Sequence, residues 1–153
     1  MELIFVIFGC FMIFIIFGLV CSIGATTKRK KLQGLADENF KTKNGNYQFY
    51  YSIKTINKVE GVVAKIFTEP VLGFSDLAYA ETNSLLKIDI LINDKKMEAT
   101  TEKKGLTAMS EFILPPEYIK NEEIEADFTV KTTWCLGGKQ IEDTLKFAYS
   151  KKL

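Results

Sequence analysis

Residues 3–25 contain no charged side chain and are dominated by Ile, Phe, Leu and Val, and no other feature of this 153-residue chain restricts its fold so strongly. At a helical rise of about 1.5 Å per residue, roughly 20 residues cross the ~30 Å hydrocarbon core of a bilayer. A lone segment in lipid must pair every backbone donor and acceptor internally, which leaves only a helix. The run therefore predicts a transmembrane helix within residues 1–27. Lys28, Arg29, Lys30 and Lys31 follow it directly, and cations on that side resist translocation. They predict an N-terminus outside and the following domain on the cytoplasmic side, the topology of a signal anchor. The alternative is a secretory leader that puts the domain outside, since Ser22-Ile23-Gly24 before Ala25 makes a passable cleavage signal. Against it stand the lack of a positive n-region and a run longer than the usual h-region of about 7–15 residues.

Within the run, Phe5, Phe8, Phe11, Phe14 and Phe17 recur every third residue. That spacing winds around a helix instead of forming one face, so it reads as lipid contact. Gly18 with Ser22, and Cys21 with Ala25, form small-xxx-small pairs that allow helix backbones to approach closely. These four are the predicted membrane-helix packing positions. Lys28, Arg29, Lys30 and Lys31 are the predicted membrane-surface and topology residues.

Histidine is absent, which removes the commonest general base and metal ligand. The three cysteines, Cys10, Cys21 and Cys135, cannot supply a framework of paired disulfides. Beyond residue 31 acids and bases interleave, so no broad basic face for nucleic acid is evident.

Residues 34–46 are polar and mixed, and with the cations they read as a juxtamembrane collar and tether over 28–46, with one short helical turn near 35–40. From Tyr47 the period becomes two: Tyr47, Phe49, Tyr51 and Ile53 alternate with Gln48, Tyr50, Ser52 and Lys54. Residues 59–68 fit a strand or a helix, and Gly61 with the β-branched content favours the strand. Pro70 is expected to end it. Residues 71–84 read as a long connection. Leu86, Ile88, Ile90 and Ile92 mark a strand turning at Asn93-Asp94 into a shorter one through Met97 and Ala99, and residues 106–114 a further one ended by Pro115-Pro116.

The C-terminal hairpin is the clearest element. Ile124, Ala126, Phe128, Val130, Thr132 and Trp134 share one face, and Gly137-Gly138 suits a two-residue primed turn. The implied register opposes Trp134 to Ile141, Val130 to Leu145, Phe128 to Phe147 and Ala126 to Tyr149. Its one anomaly is Thr132 opposite Asp143, a polar pair on the inner face. The fold class expected is one N-terminal transmembrane α-helix plus an all-β domain over 47–153, an antiparallel immunoglobulin-like β-sandwich of about seven strands.

No catalytic, cofactor-binding or metal-binding constellation emerges. Glu122, Glu123, Glu125 and Asp127 form the densest acidic group, and three of them share the solvated face of one strand. Serine and cysteine nucleophiles lack a histidine base. Tyr50, on the face opposite its aromatic neighbours, is the candidate partner contact. The expectation is a non-enzymatic accessory or adaptor subunit without a cofactor, anchored in the lipid bilayer and meeting protein partners in a larger membrane complex. The alternative is a membrane-proximal ligand- or lipid-binding module with an apolar cavity between its sheets.

Overall fold

The computed structural model describes residues 2–73 and 83–153; within its helix, side chains are described at 7, 9–17, 19–20, 29–31 and 33–35. The chain divides into two compact units, Met1–Leu35 and Ala36–Leu153.

The first unit is helix α1, Glu2–Leu35. It contains no proline, and its four glycines are too scattered to break a run of long apolar side chains. The membrane expectation is corrected here. Among the described residues no helix is long and apolar enough to cross a membrane. The single-pass topology, its orientation, the cytoplasmic placement, the bilayer as partner and both membrane-bound functions rested on the span and fall with it.

The second unit is built from ten strands among the described residues: β1 Glu38–Asn44, β2 Tyr47–Lys58, β3 Gly61–Val71, β4 Ser84–Ile92, β5 Lys95–Lys96, β6 Thr100–Lys104, β7 Thr107–Ile113, β8 Ile119–Lys120, β9 Glu123–Leu136 and β10 Lys139–Lys152. One antiparallel sheet runs β1-β2-β3-β7-β6, the other β10-β9-β4-β5, and β8 pairs with β9. The edge strands β1 and β10 meet through side chains: the Phe40 and Phe147 rings lie 4.3 Å apart, and the Thr42 hydroxyl donates to Asp143. The sheets curl together along that flank into a half-barrel.

Turn chemistry fixes the pairings. Asn93 and Asp94 (φ 46° and 65°), Asn121 and Glu122 (51° and 62°), and Gly137 and Gly138 (57° and 75°) all take the paired positive φ of a type I′ turn. Glu122 is the poorest fit, because its Cβ makes the left-handed region costly. Glu122→Gly is therefore expected to stabilise the domain by about 0.5–1 kcal/mol in urea denaturation. A loss of stability there would mean the Glu122 side chain makes a contact worth more than the strain.

The C-terminal hairpin adopts the register read from the sequence, including Trp134 opposite Ile141, Phe128 opposite Phe147 and Thr132 opposite Asp143. The strand reading of residues 59–68 holds for 61–68, within β3, while Val59-Glu60 form the turn before it. Between the sheets the packing is tight: Phe49, Ile66, Ile92, Phe128, Val130 and Trp134 are each at most 1% exposed.

Several expectations are corrected. An immunoglobulin domain places its second and third strands in opposite sheets. Here β2 and β3 are joined by Val59-Glu60 and pair Lys58 with Gly61, so the two-residue turn forces them into one sheet. Among the described residues there are ten strands, not seven, because polar edge strands went unread; the short strand expected through Met97 and Ala99 is instead the irregular crossing between β5 and β6. Residues 38–44 are β1, inside the stretch read as a tether. Pro70 does not end β3; it lies beyond Thr68, where β7 stops pairing and the strand edge tolerates a missing N–H. Leu86 is 53% exposed because the register shifts between Leu85 and Lys87, a bulge that turns it outward. Of the connection expected over 71–84, residues 74–82 lie outside the described residues.

Candidate functional site

Two polar bridges cross the interior beside the β1–β10 flank. From β2, the Tyr51 hydroxyl donates to Asp143 Oδ2 on β10 at 2.7 Å and lies 2.9 Å from Thr132 Oγ1 on β9. Burial pushes the Tyr51 hydroxyl well above its usual 10.0, and the neighbouring Asp143 carboxylate adds to the shift. From β10, the Tyr149 hydroxyl reaches back to Asp37 Oδ2 at 2.9 Å and to Thr55 Oγ1 at 2.8 Å. Burial again raises that hydroxyl, reinforced by its bond to Asp37. Asp37 also accepts from Lys151 Nζ and the Thr55 N–H, each at 2.7 Å. Burial alone would raise the Asp37 carboxyl; the donors from Lys151, Thr55 and Tyr149 outweigh it and hold the group below its usual 3.8.

The Thr132–Asp143 anomaly of the hairpin is thereby explained, since its third member arrives from the other sheet. Chemically these clusters are cross-braces. Tyr51, Thr132 and Asp143 are 2%, 1% and 7% exposed, which leaves no approach for a substrate.

A cleft of about 630 Å³ opens at one end of the β1-β2-β3-β7-β6 sheet. Three segments converge there: the β2–β3 turn, the end of β7, and the crossing from β5 to β6. Its apolar lining comes from Val63 on β3, Met109 and Ile113 on β7, and Met97 on the crossing. Val63 and Ile113 are direct cross-strand partners. Ile113 is nonetheless 56% exposed, so the floor is open to solvent.

Charged groups rim the cleft: Lys58, Lys96, Glu60, Glu98, Glu102 and Glu111. Lys65 bonds Glu111 at 2.6 Å and Lys58 approaches it at 3.6 Å; the Lys65 bond, above all, holds the Glu111 carboxyl below its usual range. Lys96 is bound to Asp89 at 2.7 Å. Glu60, Glu98 and Glu102 are exposed and take part in none of the described ion pairs.

The residues singled out by sequence lie elsewhere. Tyr50 is half-buried, with the Lys41 ammonium 5.1 Å from its ring centre and Lys41 and Glu69 as cross-strand neighbours. The side chains of Gly18, Cys21, Ser22, Ala25 and Lys28 lie outside the described residues; Arg29 is half-buried, and Lys30 and Lys31 are exposed. Glu122, Glu123, Glu125 and Asp127 are exposed, with Glu123 accepting from the Ser150 hydroxyl. Among the described residues no three Cys, Asp or Glu side chains are grouped to hold a metal. Sequence reading missed the cleft, whose lining is scattered from residue 58 to residue 115. Its one available signal was a pair of methionines, Met97 and Met109, outside the apolar run.

No protein-family model matches the chain, and no curated protein matches it in sequence.

Proposed function

We propose that the β-domain is a non-catalytic recognition module whose working surface is the cleft bounded by Val63, Met97, Met109 and Ile113. The observation that carries this reading is the cleft itself: about 630 Å³, within the roughly 300–1,000 Å³ typical of small-molecule sites, with an apolar floor and charged rim. The two methionines suit the role, because a flexible thioether side chain adapts its shape to a guest. The non-catalytic part rests on the fate of the strongest titratable clusters. Asp37, Asp143, Tyr51 and Tyr149 spend their hydrogen bonds on joining the sheets.

The test is methyl NMR of the full chain carrying ¹³C-methyl methionine, screened against small cationic, neutral and anionic amphiphiles. At least one class is expected to move both the Met97 and Met109 signals while leaving Met12, on α1, in place. Ile113→Trp, which fills the cleft from an exposed position, should abolish that response. No movement at Met97 or Met109 with any class refutes the reading.

A further inference from the structure

The charge balance of the cleft selects among ligand classes. Of its two cationic groups, Lys58 faces Glu111 and Lys96 is held by Asp89. Glu60, Glu98 and Glu102 remain as exposed carboxylates around an apolar floor. An anionic guest would meet three negative groups at the entrance, and a neutral one would leave them unused. A guest with one ammonium and a short hydrocarbon body satisfies both parts: the body covers Val63, Met109 and Ile113 while the cation lies among the glutamates.

On that basis, and resting on the recognition reading above, we propose that the cleft binds a free small organic cation with an apolar body, an alkylammonium type of ligand. The volume of about 630 Å³ is that of a small-molecule site, which favours a free molecule over a peptide segment. Glu98 and Glu102 supply the charge recognition, and Ile113 with the two methionines supplies the apolar contact. The attraction is between exposed groups, so it weakens as salt rises.

Titration of the full chain with hexylammonium chloride, hexanol and sodium hexanoate, read at the Met97 and Met109 methyls, tests the assignment. Hexylammonium is expected to bind at least fivefold more tightly than hexanol, with hexanoate weakest. Glu98→Gln with Glu102→Gln should weaken hexylammonium by about tenfold and leave hexanol unchanged, a size consistent with two exposed charge contacts. If hexanol or hexanoate matches hexylammonium, or the double variant loses nothing, the cation assignment is overturned while the cleft stands as a binding site. If none of the three probes moves either methyl, the cleft reading falls as well. Movement at Met12 alone places the interaction on α1 and overturns both. A lysine-containing hexapeptide binding more than tenfold tighter than hexylammonium would replace the free cation with a peptide segment.

Discussion

Trp134→Ala should destabilise the β-domain by about 3–5 kcal/mol, the range for deleting a large buried aromatic, whereas Trp134→Phe should cost no more than about 1 kcal/mol. The indole is 1% exposed and sits between Leu85 on β4 and Ile141 on β10 in the strand ladder. Across the interior its ring centre is 6.4 Å from that of Phe49, so it spans the space between the two sheets. Alanine would leave a cavity where the core is otherwise closed. The phenylalanine case turns on one atom. Trp134 Nε1 is buried without a hydrogen-bond partner, a desolvation cost of about 1–3 kcal/mol. Phenylalanine loses apolar area but also removes that orphaned donor, and the two effects oppose each other. Because Trp134 is the only tryptophan, urea curves for these variants must be followed by circular dichroism. Equal losses for the two variants would show that the indole N–H is satisfied and that its bond, not its bulk, carries the stability.

Sequence reading succeeded where a single local pattern decides the outcome. The hairpin of β9 and β10 combines period-two alternation on both strands with a Gly137-Gly138 turn, and only one register buries all the apolar positions. The apolar run likewise gave a helix, α1, although hydropathy alone overstated what that helix does. The failures share a different cause. β1 makes its inward contacts through Thr42 and Asn44, which bond to Asp143 and to the Glu142 carbonyl, and through Phe40 alone among apolar residues. β6 is Thr-Thr-Glu-Lys-Lys, an edge strand guarded by charge. Neither offers a hydrophobic period to detect, although Asn44-Gly45 was a hairpin signal that pointed to β1. The bulge that exposes Leu86 also depends on a partner strand some 45 residues later. The polar braces were half visible: Thr132 opposite Asp143 flagged a buried polar pair, but its donor, Tyr51, lies 81 positions from Thr132 in the chain. The cleft was invisible for the same reason, being assembled only when the β5–β6 crossing meets the end of β7.

Those braces set the pH limits of the fold, and alkaline pH should have the larger effect. The Tyr51 and Tyr149 hydroxyls are both raised above the usual 10.0. In the unfolded chain they ionise near 10; in the folded chain they stay protonated, one bonded to Asp143 and the other to Asp37. The unfolded state therefore binds fewer protons above pH 10, and stability falls as pH rises from there toward the folded values. Once the unfolded phenol is ionised, each hydroxyl contributes a slope that approaches roughly 1.4 kcal/mol per pH unit, so two of them make the alkaline limb steep. At the acid end the sign reverses. Asp37 is held below its usual 3.8, so its contribution is present above that value and is lost as pH falls through the folded one. Urea midpoints measured from pH 3 to 11.5, with tyrosinate absorbance in parallel, check both limbs. The expected record is a steep drop above pH 10, with late tyrosinate formation coinciding with unfolding. Tyr51→Phe with Tyr149→Phe should be less stable at pH 7, because Asp143, Asp37, Thr132 and Thr55 lose a bonded partner, yet should show a flatter alkaline limb. Lysines deprotonate in the same range, and the double variant separates the two sources. If its alkaline slope equals that of the unaltered chain, the tyrosine bridges are not what fails in base.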